Sequence, residues 1–357
     1  MKKIMFFYPF FYKGGTEIAI KNLIENSNDI FKNFKIYLGY IEENSSFELF
    51  DNLKEKIEIV KVTNPIEVDF LICCSPLISA YELANNIDRS YTYLWLHSVS
   101  CKAKQVFEDY NYLSKMDKIL VVSKYCDTVL SKYPYYDLIK NRVEIVHNVV
   151  DYTKVTELSK LPIDNKTVNF NSNLNLVTIA RICYEKGFSR MLSLANALKE
   201  KNVDFKWYIL GSGNKENVVK EIKDSFKDMS ENVIFLGFTM NPYNILKEAD
   251  YLVHLSDTET WGLTITEAKT LGIPCIVTNF EAAYEQIEDG KNGIILSKDD
   301  TNSYINYVDT ILYSKDMLKN NLKNWKYSNL EDNKIWNKIL NVKTKSVLNK
   351  SNNMNYR

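Results

Sequence analysis

Short apolar runs alternate with longer amphipathic stretches along most of the chain. Residues 4–8, 35–38, 70–74, 91–96, 118–122 and 143–146 are short, apolar and rich in β-branched and aromatic side chains, which predicts buried strands. Residues 16–25 and 102–114 carry helical periodicity between them. This βαβα order predicts a parallel sheet covered by helices. From 151 to 173 the pattern lapses into a polar, Asn-rich stretch containing Pro162, which reads as a linker. Strands then resume near 174–180, 205–210, 233–236, 251–255 and 275–277. The chain is therefore α/β throughout, with expected domains at 1–160 and 161–325. Residues 326–357 are expected to hold a C-terminal helix, whose return toward the first domain is left open, and a polar tail. That tail, 341–357, has four basic residues and no acidic ones.

Composition narrows the class. Hydrophobic residues make up 45% and charged ones 25% of 357, which excludes a disordered chain, a collagen-like repeat and a disulfide-built miniature domain. Basic and acidic residues both number 45, so no global positive field invites nucleic acid. The six cysteines, at 73, 74, 101, 126, 183 and 275, form no Cys-x-x-Cys pair and suit small buried hydrophobes in a reducing, cytoplasmic setting. Lys2-Lys3 and the apolar run 4–12 resemble a signal peptide, but Pro9 and the ending Lys13-Gly14-Gly15 favour a buried first strand. The charge-free stretch 70–81 is far short of a membrane span, which takes about 20 apolar residues. A spanning segment is thus not expected, and a peripheral membrane contact stays open.

The candidate chemistry lies where strands end. Most of the eleven glycines fall at strand-to-helix turns or just past helices, and ligands of parallel sheets collect at the carboxyl ends of strands. Gly14-Gly15 before the first helix fits either close approach to a ligand or a plain tight turn. Gly211-Ser212-Gly213 resembles the start of a dinucleotide fingerprint, but Glu216 stands where the third glycine belongs. Only five residues are arginine, so Arg181 in a strand-end loop, followed by Lys186-Gly187, carries weight: the pair suits either a diphosphate or solvent. The segment 256–268 places Glu259 in a loop, a helix start near Gly262 and Glu267 on that helix. This offers two carboxylates for sugar hydroxyls and backbone N–H groups for phosphate. A metal site at Asp257 and Glu259 is the minor alternative. His147 and His254, within or beside strand patterns, read as structural.

Taken in order, these motifs resemble the retaining GT-B glycosyltransferases of family four, the glycosyl transferases group 1 type that includes bacterial cell-surface polysaccharide enzymes. The resemblance runs from Lys2 to about Leu296 and rests on Gly14-Gly15, His97, the run 117–123, the run 145–148, Arg181 with Lys186-Gly187, Gly211-x-Gly213, Phe235-Leu236-Gly237, Glu259-x7-Glu267, Glu285 and Asp289-Gly290-x-x-Gly293. It implies a GT-B architecture: two Rossmann-like α/β domains facing a central cleft, with the donor mainly on the second. The implied catalytic residues are His97, Arg181, Lys186 and Glu259. The implied donor contacts are Gly14, Gly15, Gly187, Gly237, Phe238, Trp261, Gly262, Leu263 and Glu267, with Glu267 on the ribose and the region after Gly237 near the base. The implied reaction is retaining transfer of a hexose-type sugar from a nucleotide-diphosphate donor, UDP-sugar favoured over GDP-sugar, without metal or other cofactor. The implied acceptor is a saccharide or a polyprenyl-diphosphate-linked saccharide, and contact with other polysaccharide-pathway enzymes is left open.

Two departures from the family pattern stand out: Ala282-Ala283 where a glycine-rich turn is usual before Glu285, and Val149 where Asn-Gly is common. On the acceptor side, Phe10, Phe11 and Tyr12 are either core or acceptor contacts. Lys102 and Lys104, with Tyr133-Pro134-Tyr135-Tyr136, suggest a basic-aromatic surface for anionic lipid. The competing functions are a catalytically silent GT-B partner of another transferase, an NAD-dependent dehydrogenase and a sugar-nucleotide epimerase.

Overall fold

A computed structural model describes residues 1–11, 14–75, 84–99, 101–165, 167–325 and 329–342. Tyr12, the side chain of Lys102 and the tail beyond Val342 lie outside the described residues. The chain divides into two units, Met1–Val150 with Ser328–Arg357, and Asp151–Tyr327.

The first unit runs β1 (Lys2–Phe7), α1 (Gly15–Asn26), α2 (Asn28–Phe31), β2 (Phe34–Tyr40), β3 (Ile57–Lys61), β4 (Ile66–Cys73), β5 (Ile87–Leu96), α3 (Cys101–Glu108), α4 (Tyr110–Ser114), β6 (Lys118–Val121), α5 (Lys124–Ser131), α6 (Tyr136–Ile139) and β7 (Val143–Ile145). Its seven strands are parallel in the order β3-β2-β1-β4-β5-β6-β7. Because helices cover both faces, central strands read as continuous apolar runs: Ile4, Met5, Phe6 and Phe7 are all fully buried. The helix expected over 102–114 is two helices, because the Asp109 carboxylate caps α4, accepting from Tyr112 N at 2.9 Å.

The second unit runs α7 (Tyr152–Ser159), β8 (Leu174–Ile179), α8 (Phe188–Glu200), β9 (Phe205–Leu210), α9 (Glu216–Ser225), β10 (Val233–Gly237), α10 (Tyr243–Lys247), β11 (Tyr251–His254), α11 (Leu263–Thr270), β12 (Cys275–Thr278), α12 (Ala283–Gln286), β13 (Gly293–Leu296) and α13 (Tyr304–Leu322). Its six strands are parallel in the order β10-β9-β8-β11-β12-β13. The chain builds outward from β8 to one edge, then returns to place β11 on its other side. The loops after β8 and β11 therefore diverge at a topological switch point, where open α/β sheets bind ligands. Leu176, Ile209, Val253 and Ile276 fill the core beneath it.

The segment read as a linker contains α7, and the boundary lies at Val150 rather than residue 160. Asp151 caps α7 by accepting from Lys154 N at 2.9 Å, and Asn241 Nδ2 donates to Leu158 O at 2.9 Å, which fastens α7 within the second unit. The C-terminal helix α14 (Leu330–Leu340) belongs to the first unit. Trp336 packs edge-on to Trp95 at 5.1 Å, Tyr93 Oη donates to Ile339 O at 2.6 Å, and Asp332 accepts from His147 N at 2.9 Å. Among the described residues no helix is long and apolar enough to cross a membrane.

Candidate functional site

The switch point of the second unit is built by glycines pressed against carbonyls. Gly187 lies in the left-handed region (φ 71°), and a Cβ there would stand 1.8 Å from the Leu255 carbonyl oxygen. Any side chain would thus push the turn carrying Lys186 off the end of β11. Gly211 (φ 143°) meets Ala180 O in the same way at 1.9 Å, and Gly213 meets Ile182 O at 2.4 Å. The glycines that resembled a dinucleotide fingerprint are therefore spacers that seat the loop after β9 against the loop of Arg181. Gly187, expected as a donor contact, is demanded first by this packing.

On that platform the two cations differ. Arg181 is exposed, and its guanidinium makes no hydrogen bond or ion pair among the described residues. Lys186 Nζ is bonded to Glu259 Oε1. The same oxygen meets His254 Nε2 at 3.0 Å and accepts from Ser256 Oγ at 3.3 Å. Burial opposes charge on Glu259, but the Lys186 ammonium and the His254 hydrogen bond outweigh it and hold the carboxyl well below the usual range. Asp257 turns instead to Arg190 Nη2, so the loop's two acids answer two separate cations. Among the described residues no group of three or more His, Cys, Asp or Glu is placed to hold a metal ion.

Glu267 has the opposite environment. It is 6% exposed, and its carboxylate has one hydrogen bond among the described residues, from Tyr243 Oη to Oε1 at 3.0 Å. Burial pushes its carboxyl up to about 7, although the Tyr243 bond acts against the rise. Gly262 (φ 80°) caps α11. Gln286 Nε2 donates to Trp261 O, and to Gly262 O at 3.3 Å, while its Oε1 accepts from Thr266 Oγ1 at 2.7 Å. This amide ties the carbonyls back on the segment 261–266, whose helix start leaves the Leu263 N–H without a partner among the described residues. Gly237 (φ 78°) closes β10 with open space where a side chain would be, and the next ring, Phe238, is 53% exposed.

Residues 161–328 match the family model described as glycosyl transferases group 1. The match spans nearly all of the second unit, Asp151–Tyr327. An uncharacterized glycosyltransferase of Methanocaldococcus jannaschii is 24% identical over 67% of this chain and 62% of its own length. An Escherichia coli UDP-Gal:alpha-D-GlcNAc-diphosphoundecaprenol alpha-1,3-galactosyltransferase is 26% identical over 45% of this chain and 44% of its own. The chain thus spans about half the length of the curated relatives it matches. Among solved structures, Anabaena HepE in complex with UDP and glucose superposes over 95% of this chain and 99% of its own with a TM-score of 0.77 at 15% identity. That likeness establishes the fold as GT-B, two Rossmann-like α/β units.

Within the second unit, the structure brings Lys186, Glu259 and the Trp261-Gly262-Leu263 turn onto adjoining elements, with Glu267 on the helix that follows. The remaining expected residues, Gly14, Gly15 and His97, belong to the first unit. Gly14 caps α1 in an extended conformation (φ −119°), and Gly15 has open space around its missing side chain, so backbone strain demands neither glycine. His97 follows β5, with its ring 4.3 Å from that of Trp95. Burial drives its pKa down to about 3, against the pull of an Asn148 hydrogen bond, so the ring is neutral. Phe11 is fully buried against Phe47 and Phe50, which is core packing. Lys104 is paired with Glu108 at 3.7 Å, which offsets the basic character expected beside the stacked Tyr133 and Tyr135.

Three neighbours of the candidate site escaped the sequence reading: Tyr243, Gln286 and His254, the last read as structural. His254 had one usable signal, its place as the final residue of the strand feeding the Glu259 loop. Tyr243 and Gln286 reach the site only through the fold.

Proposed function

We propose that the chain is a retaining glycosyltransferase that moves a hexose-type sugar from a UDP-sugar to a saccharide or polyprenyl-diphosphate-linked saccharide in cell-surface polysaccharide synthesis. The observation carrying this is the set of groups at one switch point: an uncommitted Arg181, the Lys186–Glu259 pair, and a helix start followed by a buried Glu267. Arg181 and Lys186 are suited to a diphosphate and to the charge it gains as the glycosidic bond breaks, the kind of electrostatic term that commonly dominates such catalysis. Glu259 is assigned to the donor sugar and Glu267 to the ribose hydroxyls, with Phe238 beside the base. The acceptor hydroxyl attacks the anomeric carbon on the face that the diphosphate leaves, and a departing phosphate oxygen takes its proton. A neutral His97 suits a hydrogen bond to a sugar hydroxyl rather than the role of a cation. With both cations supplied by the protein, no metal is expected in the step. The lipid-linked acceptor rests on the activity named for the Escherichia coli relative, and a peripheral place at the cytoplasmic face of a membrane follows from such an acceptor.

The test is thermal unfolding with UDP, GDP and NAD in the presence of a chelator, with Glu267→Ala beside the wild type. At a hundredfold excess over the dissociation constant a ligand stabilises by about 2.7 kcal/mol. UDP is expected to shift the wild type without metal and to leave the variant unmoved. A shift by NAD alone, or by no nucleotide, would contradict the proposal.

A further inference from the structure

Glu259 is held unevenly. Its Oε1 receives Lys186, His254 Nε2 at 3.0 Å and Ser256 Oγ at 3.3 Å, whereas Oε2 has no hydrogen bond among the described residues. One oxygen is saturated by protein and the other is left over. The three holders also differ in kind. Lys186 is a flexible cation on a turn, whereas His254 is the last residue of β11 with a side chain only 5% exposed.

The imidazole is fixed from several sides. Thr264 Oγ1, on the first turn of α11, lies 3.5 Å from Nδ1, and the Phe280 ring stands at 5.9 Å in a T-shaped contact. Ser256 Oγ lies 3.0 Å from Nε2 and is itself 1% exposed, on backbone whose carbonyl accepts from Thr278 Oγ1 at 2.6 Å. Glu259 is charged and can only accept, so the Nε2 that faces its Oε1 carries a proton, while Nδ1 faces Thr264 Oγ1. His254 Nε2 and Ser256 Oγ are thus both donors to the same oxygen.

This arrangement bears on donor binding. A diphosphate brings negative charge that competes with Glu259 for the Lys186 ammonium. A largely buried carboxylate that loses its cation needs other donors to keep both its charge and its orientation. We propose that His254, assisted by Ser256, is the positioning residue that holds Glu259 when the diphosphate draws on Lys186, and that this leaves Oε2 for a hydroxyl of the donor sugar. The inference rests on the proposed function. It adds that sugar recognition depends on a residue outside the Glu-x7-Glu motif.

The test measures dissociation constants for UDP and for UDP-glucose, the probes used, by calorimetry on the wild type, His254→Leu, His254→Gln, Ser256→Ala and Glu259→Gln. The quantity read is the UDP-glucose constant divided by the UDP constant. Loss of one charge-assisted hydrogen bond corresponds to about tenfold, so His254→Leu is expected to raise the ratio about tenfold, with UDP itself unchanged within about twofold. The Gln variant keeps an N–H donor and is expected to recover most of that loss. Ser256→Ala, the milder change should His254→Leu fail to fold, is expected to raise the ratio about threefold. Wild-type ratios in the folded His254 and Ser256 variants beside a raised ratio in Glu259→Gln would overturn the inference alone. An unchanged ratio in Glu259→Gln, or no UDP binding to the wild type, would remove the proposed function and this inference with it.

Discussion

Glu259 and Glu267 lie on one loop-and-helix segment, yet their surroundings drive their charge in opposite directions. Glu259 shares one oxygen among an ammonium, an imidazole and a hydroxyl, and its proton is held off even at acid pH. Glu267 is buried with one neutral donor among the described residues, Tyr243, and burial pushes its carboxyl up to about 7, where its charge is in balance near neutrality. The difference teaches that spacing decides where two carboxylates stand, while remote neighbours decide what each can do. A permanently charged Glu259 suits a fixed acceptor for sugar hydroxyls. A Glu267 at the edge of ionisation gains most from a ligand whose hydroxyls stabilise its charged form.

The largest effect expected comes from breaking the platform beneath Glu259. Gly187→Ala places a Cβ 1.8 Å from Leu255 O at a φ of 71°, so the turn carrying Lys186 must move or the unit must open. A loss of about 4 kcal/mol is expected, in the range of severe core and backbone lesions. Chemical denaturation reads it, and a loss below about 1 kcal/mol would mean that Lys186 is not seated by this contact. A smaller change sharpens the other side. Tyr243→Phe removes the donor to Glu267 and is expected to cost about 1 kcal/mol at pH 8 and less at pH 5, where the protonated carboxyl depends less on a donor. Equal losses at both pH values would show that Tyr243 packs without tuning Glu267.

The central strands were legible because they are covered on both faces, so Ile4–Phe7 in β1 and Tyr251–His254 in β11 stand out as apolar runs, whereas β3 and β13, each at a sheet edge, were not read. Helix α7 was missed because it buries little beyond Val155, leaving no apolar stripe; its signal was the Asp151 cap. Within the candidate site, the Glu259 and Glu267 spacing was readable, but the opposed states were not. The donor to Glu267 comes from Tyr243, on a separate helix preceding β11, and the burial of Glu267 comes from packing. The glycines carried a mixed message: Gly187, Gly211 and Gly213 mark close approach, as expected of strand-end turns, but what approaches is a carbonyl of the loop that follows a neighbouring strand.

The most direct test of the opposed carboxylates is the pH dependence of unfolding free energy for the wild type, Glu267→Gln and Glu259→Gln from pH 5 to pH 9. The Glu267 carboxyl rises from 4.5 to about 7 on folding, so the folded state binds the extra proton and stability falls as pH climbs through that window. Glu267→Gln should therefore gain on the wild type between pH 5 and pH 8, by on the order of 3 kcal/mol, and then level off. Glu259 is already charged in both states over most of this range. Glu259→Gln should show a nearly flat deficit of about 3 kcal/mol, the cost of leaving Lys186 unpaired. Parallel curves for wild type and Glu267→Gln, or a Glu259→Gln deficit that disappears by pH 6, would contradict the division of charge between the two carboxylates.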